Sequence, residues 1–314
     1  MVKLANTETA AQKKATRAAY GATLAELAAE GVPVVAVDAD LTGSTTTKKL
    51  ADAGYAGRLF NCGIAEQNMI DVAAGLSLAG NIAFTGSFAV FGTGRAYDQI
   101  RNTVCYSNLN VKIAPTHAGI SVGPDGGSHQ MLEDVSLMRG LPGMRVLVPA
   151  DYAAARAALR LAAATPGPVY VRMGRAAVPC VYDDEVELEI GRAYVLREGS
   201  DVTIVANGVE IREALAAADA LAADGISAEV IDAFSVKPLD GATILESVAK
   251  HPLRRDGRGA FRHRRLGLGG LRASGRRDPC AWNAWPCATV SASPASSRNC
   301  SAISTLTLRP LLKL

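Results

Sequence analysis

One glutamate, Glu66, is a candidate for acid–base chemistry because of its position in the chain. It belongs to the stretch NCGIAEQNM (residues 61–69), which follows a short apolar run and opens a segment rich in alanine and glycine. This pattern predicts a carboxyl group at a strand-to-helix junction with few charges nearby. A buried carboxylate is costly unless it has a partner, so the position indicates either a chemical role or an interaction with the helix dipole.

Two histidines and an aspartate lie on a glycine-rich loop, THAGISVGPDGGSHQ (residues 116–130). The apolar run before it is typical of a buried strand, and its four glycines allow close approach to a ligand. His117, Asp125 and His129 offer donors, acceptors and proton transfer near neutral pH, which favours a polyol or sugar-phosphate site. A zinc site would need a third ligand at suitable spacing, and a solvated turn with incidental histidines is the other alternative. We therefore predict no metal site on this chain.

Two of the six phenylalanines, Phe88 and Phe91, lie three residues apart in GSFAVFGTGRAYDQ (residues 86–99). Ordinary core packing would explain them. The alternative is an aromatic wall for a flat heterocycle.

Together these segments resemble the transketolase family, in the half that carries its pyrimidine-binding and C-terminal domains. The resemblance runs from about residue 14 to residue 250. Five pieces occur in family order: ATR (residues 15–17), DADLT with Ser44 (residues 38–44), the Glu66 segment, the two-phenylalanine segment and the histidine loop. Single pieces are weak signals, but five in order are specific.

The resemblance implies a cofactor, thiamine diphosphate, and a role for each matching position. Glu66 would contact N1′ of the aminopyrimidine ring and promote proton transfer within the cofactor, so it should lie in an apolar setting. The other implied positions are Asp40, Phe88 and Phe91 for cofactor binding, His117 and His129 for proton transfer and sugar binding, Asp125 for sugar binding, and Arg17, Ser44 and Arg172 for the sugar phosphate.

The family's Mg²⁺ and diphosphate segment, Gly-Asp-Gly with a downstream Asn, is missing from this sequence. In the family it lies in an N-terminal domain, so the chain resembles one half of a split transketolase. The resemblance implies an N-terminal partner subunit that holds Mg²⁺ and the diphosphate. It also implies phosphorylated sugars as substrates and a dimer of heterodimers as the assembly.

The charge balance changes abruptly after residue 250. Residues 1–250 contain 21 Lys and Arg against 28 Asp and Glu, whereas residues 251–314 contain 11 Arg, one Lys and two Asp. A basic nucleic-acid tail is one reading, but this tail lacks interleaved aromatic and basic residues, so we expect no nucleic-acid partner. A shifted reading frame is the better explanation, because another phase over residues 278–309 permits a sequence resembling the transketolase C-terminus.

Apolar strands alternate with helices, which predicts an α/β fold with a doubly wound parallel sheet, followed by a smaller, truncated α/β domain. We expect a pyrimidine-binding domain over residues 1–178, a partial C-terminal domain over 190–250, and a frameshifted, non-native tail over 251–314. The coarse pattern predicts helices over about 8–30 and 94–107, and a linker over 178–189.

The sequence predicts a cytoplasmic protein. The sequence has no run of 18 apolar residues, so we expect no membrane span, and its N-terminus lacks the apolar core of a signal peptide. The scattered cysteines suggest reduced thiols. A 1-deoxyxylulose-5-phosphate synthase-like enzyme half remains an alternative, although Thr116 before His117 favours transketolase. The β subunit of a 2-oxoacid dehydrogenase is a weaker one. A non-catalytic remnant disabled by the frameshift is the alternative outside the enzymes.

Overall fold

The structure is a computed structural model that describes residues 2–250. The predicted frameshifted tail, residues 251–314, lies outside the described residues. No helix among the described residues is long and apolar enough to cross a membrane.

Twelve strands occur within residues 2–250. They are β1 (Lys13–Ala15), β2 (Val34–Asp38), β3 (Leu59–Asn61), β4 (Ile82–Gly86), β5 (Val111–Ile113), β6 (Arg145–Leu147), β7 (Val169–Val171), β8 (Ala177–Pro179), β9 (Tyr194–Arg197), β10 (Val202–Ala206), β11 (Ala228–Asp232) and β12 (Ser235–Lys237).

Helices connect most of these strands. The α-helices are α1 (Thr7–Ala11), α2 (Ala18–Ala29), α3 (Thr42–Thr45), α4 (Lys48–Leu50), α5 (Glu66–Leu78), α6 (Tyr97–Gln99), α7 (Asp134–Gly140), α8 (Tyr152–Ala164), α9 (Glu210–Ala223) and α10 (Gly241–Lys250). Segments with π-helical turns cover Ala51–Tyr55, Val90–Arg95 and Ile100–Tyr106, and 3₁₀ turns cover Ala56–Arg58 and Gly127–His129.

The larger sheet has seven strands in the order β12-β6-β7-β5-β4-β2-β3. All neighbours run parallel except β12, which pairs antiparallel with β6. Every residue of β2 is buried, as expected for a parallel strand covered on both faces. Two groups of buried apolar side chains pack with this sheet, one including α2 and α8 and the other including α5. The predicted α/β fold is therefore confirmed.

A smaller sheet follows, in the order β10-β11-β9. Helix α9 packs on it through Ala214 and Ala218 against Val230. The chain then returns to the larger sheet, because β12 pairs with β6 through Ser235 opposite Leu147. The second unit thus supplies an edge strand to the first unit's sheet.

A carboxyl group is buried where β11 ends. The Tyr182 hydroxyl donates to Asp232 Oδ2 at 2.6 Å, while Oδ1 has no hydrogen-bond partner among the described residues. Burial, with the Asp151 carboxylate nearby, raises the pKa of Asp232 to about 7, against the opposing effect of the tyrosine hydrogen bond.

Two predicted elements were wrong in detail. The helix expected over 8–30 is interrupted by β1, which pairs antiparallel with β8, a strand that begins one residue before the expected linker and runs into it. Long-range pairing overrides the helical propensity there. The helix expected over 94–107 contains α6 flanked by π-helical turns rather than a continuous α-helix.

Candidate active site

The carboxyl ends of β2, β4 and β5 lie side by side, so the segments that follow them meet at one edge of the sheet. The pairing continues past the strands, since Thr116 N donates to Ser87 O at 2.9 Å and Ala89 N to Thr116 O at 2.7 Å. This extension brings Phe88 next to the histidine loop.

Glu66 is the first residue of α5 and is only 2% exposed. It lines a small cavity of about 200 Å³. The other lining residues are Ala39, Asp40, Leu41, Ile64, Phe91 and Arg95. The predicted strand-to-helix junction is present, because β3 ends at Asn61 and α5 begins at Glu66.

The expectation of few charges near Glu66 was wrong. Arg95 NH1 donates to Glu66 Oε2 at 2.8 Å, and no hydrogen bond from residues 2–250 reaches Oε1. The Arg95 guanidinium carbon also lies 4.6 Å from the centroid of the Phe91 ring. The local sequence around Glu66 gave no sign of this cation, because Arg95 follows a different strand.

Aromatic rings form a continuous stack beside this cavity. The ring centroids of Phe88 and Phe91 lie 6.2 Å apart at an interplanar angle of 17°. The His117 ring stacks on Phe88, with 3.8 Å between the ring centroids. His129 approaches the edge of Phe91 at 5.3 Å. Both phenylalanines and both histidines predicted from the sequence are therefore brought together at one site.

His117 is buried, and its backbone adopts a φ of 62°, which is uncommon for a residue other than glycine. The Thr116 hydroxyl lies 2.8 Å from Nδ1, which leaves Nε2 as the ring nitrogen available to a ligand. Burial lowers the pKa of His117 to about 4, and the charges of Arg17 and Arg175 add to this. The imidazole is therefore neutral near pH 7.

The histidine loop is closed by paired backbone hydrogen bonds between Gly119 and Met131, at 2.8 and 3.3 Å. Gly119 has a φ of 78°, and a Cβ there would lie 3.2 Å from Arg172 NH2, so the position favours glycine. Asp125 pairs with Arg175 NH1 at 3.0 Å. Arg175 was not singled out from the sequence, yet it links the loop to the segment after β7.

Asp38, at the end of β2, organises the next part of the site. It accepts hydrogen bonds from Leu41 N at 2.6 Å and from the hydroxyls of Thr45 and Thr47 at 2.7 and 2.8 Å. Burial raises the pKa of Asp38, whereas these hydrogen bonds act in the opposite direction. The carboxyl group thus shapes the turn that carries Asp40 and Ser44.

Asp40 and Ser44 each have a defined neighbour. Asp40 has a φ of 64°, and its Oδ1 accepts from Asn61 Nδ2 at 3.2 Å at the mouth of the Glu66 cavity. Arg17 NH1 donates to the Ser44 carbonyl at 2.6 Å. Burial and the neighbouring charge of Arg175 lower the pKa of Arg17. Two arginines therefore lie close together beside the histidines.

Arg172 is held differently from Arg17. Its Nε and NH2 donate to the buried Asp134 at 2.7 and 3.3 Å, and Tyr170 donates to the same carboxylate at 2.6 Å. No hydrogen bond from residues 2–250 involves Arg172 NH1. Arg172 is thus positioned by a structural network, with one nitrogen left to face the loop at Gly119.

No group of three His, Cys, Asp or Glu side chains among the described residues could hold a metal ion. The site instead combines a buried carboxylate, an aromatic stack, a neutral histidine and adjacent arginines.

Profiles of two protein families match this chain. The transketolase pyrimidine-binding domain matches residues 12–181, and the transketolase C-terminal domain matches residues 191–254. The chain belongs to the transketolase family. The residues of the site described above come from the segments by which the sequence resembles transketolases.

The relatives include separate transketolase chains of similar length. The chain is 48% identical over 236 residues to a putative transketolase C-terminal section from Methanocaldococcus jannaschii, covering 74% of each chain. It is 43% identical to a 6-deoxy-6-sulfo-D-fructose transketolase subunit from Clostridium sp. strain MSTE9, covering 74% of this chain and 72% of that one. The chain is thus a transketolase-type C-terminal subunit.

A solved structure agrees with this assignment. A split-gene transketolase, described as an inactive β4 tetramer, superposes with a TM-score of 0.71 at 50% identity, covering 77% of this chain and 78% of that one.

Proposed function

We propose that this transketolase subunit, joined to an N-terminal partner, transfers a two-carbon ketol unit between phosphorylated sugars with thiamine diphosphate as cofactor. The observation that carries the proposal is Glu66, buried with Oε1 unbonded, at a cavity next to the Phe88–Phe91 stack. The matching family is described as the pyrimidine-binding domain of transketolase, which supports a site for the aminopyrimidine ring of this cofactor.

The residues present fit the aminopyrimidine end of the cofactor. A flat ring finds an aromatic neighbour in Phe91, and a ring nitrogen that carries a proton finds an acceptor in Glu66 Oε1. When bound, thiamine diphosphate supplies the reactive thiazolium carbon, and the protein supplies orientation and proton transfer. Glu66 would hold the proton at N1′, and Asp40 at the cavity mouth would lie beside the cofactor.

The histidines and arginines suit a phosphorylated sugar. His117 is neutral near pH 7, so in the tautomer whose hydrogen lies on Nδ1, donated to the Thr116 hydroxyl, Nε2 can accept a proton from a sugar hydroxyl and return it. Asp125 and His129 lie on the same loop and would bind sugar hydroxyls. Among the described residues, the Arg17 guanidinium has only the Ser44 carbonyl as a hydrogen-bond partner, and the positive charge of Arg175 lies nearby. A bound phosphate would relieve the repulsion between these two cations.

Arg172 and Ser44 complete the proposed phosphate site. Arg172 retains one unbonded guanidinium nitrogen, although Asp134 already neutralises part of its charge. Ser44 lies beside the Arg17 guanidinium, which donates a hydrogen bond to its carbonyl oxygen. The sugar-binding contribution of Arg172 should therefore be smaller than that of Arg17.

We assign the metal and the diphosphate to the partner subunit, because the Gly-Asp-Gly segment with a downstream Asn that holds them in the family is missing from this sequence. The solved relative is described as an inactive tetramer of β chains, which supports partner dependence. The proposed assembly is a dimer of heterodimers with the cofactor between unlike subunits.

We retain the proposal that residues 251–314 follow a shifted frame. The match to the C-terminal domain ends at residue 254, close to the point where the charge balance changes. Sequencing the DNA over codons 245–314 tests it, and an uninterrupted frame encoding the present tail would reject it.

Calorimetry and a sugar-transfer assay, each with and without an N-terminal partner, test the proposed function. We expect the chain alone to bind thiamine diphosphate weakly and to transfer no ketol unit, because most of the cofactor's charge lies on the diphosphate. The partner should restore both properties. Tight Mg²⁺-dependent binding by this chain alone would contradict the proposal.

A further inference from the structure

The ion pair between Glu66 and Arg95 joins two separate elements at the cavity. Glu66 begins α5, whereas Arg95 ends the π-helical segment Val90–Arg95. The glutamate side chain is 2% exposed and that of Arg95 is 49% exposed, so the arginine reaches inward from the surface. Among residues 2–250, no other cation forms an ion pair with Glu66.

The Arg95 guanidinium is constrained from two sides. Its carbon lies 4.6 Å from the Phe91 centroid, and NH1 lies 2.8 Å from Glu66 Oε2. Phe91 is itself stacked on Phe88. A planar guanidinium that lies over a ring and also donates a hydrogen bond to a carboxylate is held in orientation at two points, and the flexible ammonium of a lysine would be held less firmly.

This arrangement makes the two oxygens of Glu66 unequal. Oε2 is occupied by Arg95, whereas no hydrogen bond from residues 2–250 reaches Oε1. A carboxylate held at one oxygen cannot rotate freely, so the other oxygen keeps a defined direction. Proton transfer is sensitive to such geometry, because donor and acceptor must lie within hydrogen-bond reach.

We propose that Arg95 is the positioning residue for Glu66: seated on Phe91, it holds Oε2 and so presents Oε1 to the ring nitrogen of the cofactor. This inference rests on the proposed function. It adds that the Arg95 guanidinium links the aromatic ring of Phe91, proposed to bind the cofactor, to the carboxylate of Glu66.

The test compares Arg95→Gln, Arg95→Lys, Glu66→Gln and the wild type, each as the full chain assembled with its N-terminal partner. Four quantities are measured with thiamine diphosphate and Mg²⁺: the rate of hydrogen–deuterium exchange at C2 of the bound cofactor, its dissociation constant, its near-ultraviolet circular dichroism, and the affinity of the two subunits. The matched control is Arg101→Gln, which removes an exposed arginine paired with Asp98 at 3.1 Å.

We expect Arg95→Gln to slow C2 exchange by about a hundredfold, a loss typical of misplaced reacting groups, and to alter the dichroism of the bound ring. The cofactor and subunit affinities should change by less than about threefold, because the remaining contacts persist. Arg95→Lys should fall between Arg95→Gln and the wild type, since it restores the charge without the planar contact. Arg101→Gln should behave as the wild type.

A wild-type exchange rate in Arg95→Gln would overturn the inference. So would a wild-type rate in Arg95→Lys, because charge alone would then suffice. If Arg95→Gln fails to fold, the lysine variant decides alone: a slowed rate supports positioning and an unchanged rate rejects it. A wild-type rate in Glu66→Gln would instead refute the proposed function itself. Loss of subunit affinity in Arg95→Gln, with normal exchange once assembled, would make Arg95 an interface residue and reject the inference.

Discussion

Glu66 and Asp232 are both buried carboxyl groups, but their surroundings differ. Glu66 faces a guanidinium on one side and a cavity on the other. Asp232 accepts one hydrogen bond, from Tyr182, and has no cation paired with it among residues 2–250. The first lies at the proposed active site, and the second lies where the smaller sheet meets the segment around Tyr182.

The comparison separates two ways of burying an acid. A counter-charge compensates the desolvation of a carboxylate, and a free oxygen at a cavity gives it something to bind. A carboxyl group without a counter-charge tends to keep its proton, which is the direction of the pKa shift at Asp232. Burial alone therefore does not distinguish the two acids, and the proposed role of Glu66 rests on its position at a cavity with one oxygen free of hydrogen bonds from residues 2–250.

Replacing Glu66 should have the largest effect. Glu66→Gln keeps the size of the side chain but removes its ability to exchange a proton, so C2 exchange in the assembled enzyme should fall by roughly 10²–10⁴-fold. Cofactor affinity, measured by calorimetry, should fall much less.

The matched control for Glu66→Gln is Asp71→Asn, which neutralises an exposed carboxylate on the same helix. An unchanged C2 exchange rate in Glu66→Gln would remove the distinction between the two buried acids.

Replacing Asp232 should change stability rather than chemistry. Its folded-state pKa of about 7 lies above the ordinary value of 3.8, so the folded protein binds more protons than the unfolded chain between those pH values. Stability is therefore lost as pH rises through this window. Asp232→Asn should remove that loss. Relative to the wild type, its free energy of unfolding should be higher by up to roughly 4 kcal/mol near pH 8 and little changed near pH 4.

Denaturant unfolding of the full chain at several pH values measures this difference. Asp219→Asn is the control, because it neutralises a largely exposed carboxylate in the same unit. A variant less stable than the wild type at pH 8 would contradict this prediction, because it would show that the ionised Asp232 is stabilised by its surroundings.

The cations of the site extend the comparison. Arg95 has a carboxylate partner, whereas Arg17 has a carbonyl and lies near Arg175. Arg17→Ala should raise the Michaelis constant for a phosphorylated sugar by roughly 10–100-fold, as expected for a lost charge-assisted hydrogen bond of about 1.5–3 kcal/mol. The constant for hydroxypyruvate should change far less.

Arg156→Ala provides the control for Arg17→Ala, since Arg156 pairs with Glu26 between α8 and α2. Equal effects of Arg17→Ala on both substrates would assign Arg17 to holding the Ser44 turn rather than to binding phosphate.

The sequence predicted the elements whose signals are local. The apolar run before the histidine loop forms the strand Val111–Ile113, and the junction predicted at Glu66 is present, because each has an apolar pattern typical of its element. The family resemblance also singled out Glu66, Phe88 and His117, which the fold brings to one site. Arg95 was missed because its role depends on a π-helical turn and on a glutamate 29 positions earlier in the chain.

Asp38 and Asp134 were missed for a similar reason. Each is recognisable only from what it binds. Asp38 is held by a turn that closes back on it, and Asp134, at the start of α7, binds Tyr170 of β7 and Arg172 just after that strand. The strand Lys13–Ala15, which interrupts the helix expected over 8–30, likewise depends on its pairing with Ala177–Pro179, more than 150 residues away. Contacts of this range are absent from local periodicity.

The return of β12 to the larger sheet bears on how the chain matures during synthesis. Strand β6 is made about 90 residues before Ser235–Lys237 can cover its edge. Until that segment leaves the ribosome, the backbone groups of β6 remain open to pairing with another chain. The sheet that carries the proposed active site is thus completed only after nearly all of the described chain has been translated. A nascent chain that stalls before residue 235 should be prone to aggregation rather than partly active.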